Sequence, residues 1–155
     1  MNLQPISLIA WKPAIVAVVL MALMGPYPST PSLAADVSVV SGSVIDVGGM
    51  RIRLWGIRLP EASATCHRGG GSRACASLSR RVLERFIGNE ELRCLVMVNQ
   101  PGQPISAKCS VQEEDLGHLM VLSGWATDDG AESGGFYALQ EEVAREQRVG
   151  MWKDR

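Results

Sequence analysis

The stretch SVIDVGGMRIRLWGIRLPE, Ser43 to Glu61, decides how this chain is read. Val44 to Val47 and Met50 to Leu54 are short, β-favouring runs. Gly48-Gly49 between them suits a two-residue hairpin turn, whose central positions need positive φ. In the second run Arg51 and Arg53 alternate with Ile52 and Leu54, which predicts a strand basic on one face and apolar on the other. Pro60 ends that strand, because it has no N–H to give to a ladder. Arg58 and Glu61 follow at once, so charged groups crowd the strand's exit.

Outward from this stretch, VSVV predicts a strand before it. ACASLSRRVLERFIG predicts a helix, with Ala76, Ser79, Leu83, Phe86 and Ile87 near one face and Gly88 as its stop. LRCLVMV and ISAKCSV flank NQPGQP and predict an antiparallel hairpin turning near Pro101 and Gly102. DLGHLMVLSG predicts a short helix capped by Asp115, so Glu113, Glu114 and Asp115 are a solvated turn and cap. GGFYALQEEVAREQRVG predicts a last helix with Phe136, Leu139, Val143 and Ala144 at core spacing. GGGS, Gly69 to Ser72, lacks the spacing of a phosphate loop and is expected to be a flexible surface loop. The order is three strands, helix, two strands and two helices. It predicts an α+β, mainly β fold: a five-stranded oligonucleotide/oligosaccharide-binding (OB) barrel with three helices.

Residues 1–34 carry one charged side chain, Lys12, then the apolar run AIVAVVLMALM. Eleven apolar residues fall short of the roughly 20 that span a bilayer, so the segment is expected to be a signal peptide cut before Ala35, with no stable span afterwards. The expected domain is 35–155, periplasmic or secreted. Removing 34 of 155 residues leaves 121 and, with Lys12 gone, moves the net charge from −1 to −2. An acidic chain argues against tight nonspecific DNA binding. The charge is uneven: nine arginines and four glutamates fall between Arg51 and Arg93, and nine acids with one arginine between Ser110 and Glu146.

Cys66, Cys75, Cys94 and Cys109 allow three disulfide pairings. The hairpin brings Cys94 opposite Cys109 and leaves Cys66 to clip to Cys75. Their spacings of 9, 19 and 15 lack the close pairs of a zinc site. His67 and His118 have no triad around them, and Trp55, Trp125 and Trp152 are expected to pack rather than to stack bases.

RLWGI with PE two residues later, then paired cysteines, a helix, RC, AKCSV, DLG, MV with GWA, and a closing run of E, AR, G and W resemble the staphylococcal-nuclease-like (thermonuclease) family from about Val37 to Trp152. The resemblance implies an OB barrel and, in active members, calcium-dependent cleavage of DNA or RNA. Carboxylates there hold calcium, arginines neutralise phosphate and a glutamate activates water. Arg53 matches the first catalytic arginine and Glu61 the general base.

The other positions depart from the pattern. Ser43 stands where the first calcium carboxylate is expected, Arg58 where the second is, and Leu59 has no side-chain oxygen at the adjacent position. Gln103 replaces the second arginine. A calcium site needs about six to eight oxygens, so no metal or other cofactor is expected here. The expectation is a nuclease homologue without ordinary nuclease activity, a pseudoenzyme whose Arg53, Arg58, Arg51 and Gln103 meet nucleic acid, nucleotide or acidic polysaccharide. Arg58 is expected either to take the cation's place or to pair with Glu61. A phosphodiesterase with relocated ligands and an envelope or exopolysaccharide-associated protein are the alternatives.

Overall fold

A computed structural model describes residues 36–61, 63–68 and 71–153, apart from the side chains of His67 and Arg68. The expected signal segment lies outside these residues, as do Gly69 and Gly70 of the glycine loop. The fold is mixed α and β, mainly strands.

Strands β1 (Val37–Ser41), β2 (Val44–Val47) and β3 (Met50–Leu54) form an antiparallel meander. Gly48 and Gly49 hold φ of 59° and 86°, and the Asp46 carboxylate accepts the Gly49 N–H at 2.8 Å, so the expected two-residue turn forms. A two-residue strand β4 (Ile57–Arg58) follows Gly56. Strands β5 (Thr65–Arg68) and β6 (Gly71–Ala74) pair antiparallel, so Gly71 and Ser72, expected in a flexible loop, stand in a strand, and Cys66 joins Cys75 at the base of the pair. Helix α1 (Cys75–Ile87) buries Leu78, Ser79, Val82, Leu83 and Ile87.

Strands β7 (Leu92–Val98) and β8 (Ile105–Val111) form the second hairpin with Cys94 directly opposite Cys109, and these two are bonded, with Cα atoms 4.0 Å apart. The two disulfides are therefore those the spacing favoured. A short β9 (Glu114–Asp115) leads into α2 (Leu116–Leu122), whose Asp115 cap accepts the N–H groups of Gly117 and His118. Then come β10 (Thr127–Asp128), the single turn α3 (Gly130–Ser133), α4 (Ala138–Glu146) and a 3₁₀ turn, Gly150–Trp152.

The main sheet runs β1-β2-β3-β8-β7, with β3 and β8 parallel and Arg53 registered on Ser106. The sheet is open: among the described residues no ladder joins β7 to β1, so the closed five-stranded barrel of the sequence reading is not formed. Helix α1 packs against β1, while Leu95 to Val98 on β7 stay exposed. The core lies between the inner face of this sheet, through Ile45, Ile52, Leu54, Ala107 and Cys109, and the helices, through Leu83, Leu116, Met120 and Val121. The last helix meets expectation in part: Ala144 is buried, but Phe136 and Leu139 are exposed and Tyr137 is buried instead. No helix among the described residues is long and apolar enough to cross a membrane.

Candidate functional site

Arg53 projects from the outer face of β3, the face opposite Ile52 and Leu54. Its guanidinium is partly exposed and is engaged by a carboxylate of the same chain. Nη1 donates to Glu132 Oε2 at 2.7 Å and Nη2 to Glu132 Oε1 at 2.6 Å, a bidentate fork. Two more donors converge on the same carboxylate: the Gly56 N–H at 3.0 Å and the Ser106 hydroxyl at 2.8 Å. Four donors thus surround one carboxylate, and the Arg53 hydrogen bonds, helped by Gly56 and Ser106, hold the Glu132 pKa down at about 2. The same hydrogen bonds raise Arg53 above the ordinary arginine value, against the opposing effect of burial.

Gly56 makes this arrangement sterically feasible. Its φ of 72° turns the chain between β3 and β4, and a Cβ there would stand 3.0 Å from Ser133 Cβ and 3.1 Å from the Tyr137 ring. The loop from Asp128 to Gly135 therefore lies directly on it, tied by Asp129 N–H to Gly56 O at 2.8 Å. Within that loop the Ser133 hydroxyl donates to Asp128 Oδ1 at 2.6 Å and the Tyr137 N–H reaches the same oxygen at 3.1 Å. The Tyr137 phenol, buried, donates to Asp115 at 2.8 Å, and its burial, with the nearby Asp115 charge, raises its pKa. The acidic loop is thus held at both ends and presents Glu132 at a fixed position.

Arg58, on β4, donates to Asp129 at 2.8 Å. The expected pairing with Glu61 is not made: the strand pair β4–β10 sets Arg58 opposite Thr127, which brings Asp129 within reach, whereas Glu61 lies exposed on the loop beyond Pro60. The Glu61 carboxylate takes no part in the Arg53 network, and its backbone carbonyl accepts Ala64 N–H at 2.9 Å. Arg51 is exposed on β3 in register with Asp46. Gln103 sits exposed at the tip of the β7–β8 turn, its N–H on Gln100 O. Of the residues singled out in the sequence, the structure brings Arg53 and Arg58 to one acidic loop and leaves Glu61, Arg51 and Gln103 outside that network.

At the three positions that the nuclease resemblance implies for calcium ligands, Ser43 is buried in the β1–β2 turn, where its carbonyl accepts the Leu54 N–H at 2.8 Å; Arg58 brings a positive charge, and Leu59 brings no side-chain oxygen. The neighbouring Gly42 has a packing role of its own: a Cβ there would stand 1.9 Å from the Ser79 hydroxyl, which is fully buried and bonded to Trp125 O. Glu132, Asp129 and Ser106 were not found from the sequence. The signal for the two acids was the charge asymmetry, a basic first half facing an acidic second half, while nothing in the sequence pointed to Ser106.

No protein-family model matches the chain. It is 26% identical over 120 residues to the succinoglycan biosynthesis protein ExoI of Rhizobium meliloti (strain 1021). The match covers 75% of this chain and 62% of that relative, so the chain spans less than two thirds of the protein it resembles.

Proposed function

We propose that this protein is an exported accessory protein of bacterial exopolysaccharide production, a nuclease-like OB module that binds a polymer rather than cleaving one. The observation that carries the reading is the Arg53–Glu132 fork. A nuclease centre needs its arginine free to meet phosphate charge as it develops in the transition state, and here an internal carboxylate takes that role. The strand path with its one parallel pair is read as an OB barrel left unclosed between β7 and β1. The resemblance to a succinoglycan biosynthesis protein supports the polysaccharide setting, and the two disulfides support an oxidising compartment, the periplasm or beyond.

The test is to incubate the full chain, and the chain from Ala35, with single-stranded DNA and RNA in calcium, magnesium or manganese, and separately with acidic polysaccharides. No nucleic-acid cleavage above buffer is expected, together with saturable retention of an acidic polysaccharide. Divalent-dependent cleavage that Glu61→Ala abolishes would overturn the reading in favour of a working phosphodiesterase.

A further inference from the structure

The outer face of β3 and β8 continues past the paired arginine into a second surface. In the parallel register Leu54 meets Ala107, so Trp55 and Lys108, one residue on, project to the same side as Arg53 and Ser106. Leu95 lies opposite Lys108 across the β7–β8 ladder and is 67% exposed. From the acidic loop Phe136 leans onto this face, its ring 5.9 Å from that of Trp55 and edge-on to it. Phe136 is 56% exposed but placed: its N–H and that of Gly135 both donate to the Ser133 hydroxyl. The Lys108 ammonium stands 3.5 Å from the Phe136 ring centroid and 5.1 Å from that of Trp55. Beside them a cleft of about 320 Å³ is lined by Arg93, Leu95, Lys108, Ser110 and the Cys94–Cys109 disulfide. The one acid in its lining, Asp115, is already committed to the α2 cap and to Tyr137, and at its rim Arg93 is paired with Glu91 and Glu113.

We propose that this ledge, Trp55, Phe136, Lys108, Leu95 and Arg93, binds a segment of an acidic polysaccharide. The inference rests on the accessory reading above and names its contact surface. A sugar ring with a carboxylate is apolar on its C–H faces and anionic at one edge. Phe136 and Leu95 offer the apolar contact and Lys108 a cation, while Arg93, held only loosely by the exposed Glu91 and Glu113 at 3.3 and 3.4 Å, is a second cation that a glycan carboxylate has to draw from those partners. A nucleic acid fits less well. Lys108 and Arg93 are too few cations to follow a phosphate backbone with its charge at every nucleotide.

The experiment is titration calorimetry of the chain from Ala35 with oligogalacturonate, with neutral dextran oligomers and with oligo-dT. Lys108→Gln and Phe136→Ala are compared with Arg80→Gln, a control on exposed α1, and near-ultraviolet circular dichroism checks each fold. Oligogalacturonate is expected to bind and dextran not. Lys108→Gln is expected to weaken binding tenfold or more, Phe136→Ala about fivefold, and Arg80→Gln less than twofold. Binding that both ledge variants leave within twofold of the original places the glycan elsewhere, which sinks the ledge and spares the accessory reading. Absence of binding to any acidic glycan removes both. Tighter binding of oligo-dT, lost in the same two variants, overturns the glycan assignment in favour of nucleic acid.

Discussion

Arg53 and Glu132, 79 residues apart in sequence, hold each other through two hydrogen bonds of 2.7 and 2.6 Å on the outer face of the sheet. The strand supplies the cation, a single-turn helix supplies the anion, and Gly56 and Ser106 complete the carboxylate's shell. Both terminal nitrogens of the guanidinium are thus engaged by a carboxylate of the same chain.

Glu132→Gln keeps the shape and removes the charge, so it is expected to cost about 1–3 kcal/mol at pH 7. The lower part of that range is favoured because the Arg53 side chain is 36% exposed and partly screened by solvent. The pH dependence has a definite sign. A carboxyl whose folded pKa is depressed stabilises the protein above its unfolded value and loses that contribution as pH falls. The stability gap between the original protein and Glu132→Gln is therefore expected to close between about pH 4.5 and 2. Urea titrations across that range measure it, and a gap constant with pH would show that Glu132 does not carry the pair.

Arg58–Asp129 is a weaker relationship. It is one 2.8 Å hydrogen bond, and the Arg58 side chain is 66% exposed. A double-mutant cycle with Arg58→Ala and Asp129→Ala is expected to give a coupling below about 1 kcal/mol, reduced further in 0.5 M salt. Coupling as large as that between Arg53 and Glu132 would contradict the distinction drawn between the two pairs.

Gly56→Ala is expected to destabilise by about 2–4 kcal/mol, since the new Cβ meets both a positive φ and the side chains of Ser133 and Tyr137. The displaced loop should carry Glu132 with it. Chemical shifts of the Arg53 guanidinium report this directly, and unchanged shifts would mean that the loop accommodates the methyl without moving.

Replacing Cys94 and Cys109 by Ala opens a loop of sequence separation 15 and is expected to cost about 3 kcal/mol. Nonreducing peptide maps of the oxidised protein should show Cys66 joined to Cys75 and Cys94 to Cys109. Any peptide joining Cys94 to Cys66 or Cys75 would refute the pairing.

Local features were legible in the sequence. Gly48-Gly49 announced its turn because few residue pairs tolerate positive φ twice, and Asp115 announced its cap through a carboxylate placed just before a helix. The Cys94–Cys109 disulfide followed from a hairpin whose strands are near in sequence, and Cys66–Cys75 was the pair it left over. The last helix misled at Phe136 and Leu139. Its apolar residues recur at helical spacing, but Tyr137, anchored on Asp115, turned a different side of the segment to the core.

By itself the sequence determined the order of the main strands and helices and the pairing of the four cysteines. Only the tertiary structure decided that the sheet stays open and which acids meet Arg53 and Arg58. Turns, caps and hairpin bridges depend on residues a few positions apart, whose geometry the backbone fixes. An ion pair across 79 residues depends on where a loop comes to rest. Here that place was set by a glycine with no side chain to hold the loop away.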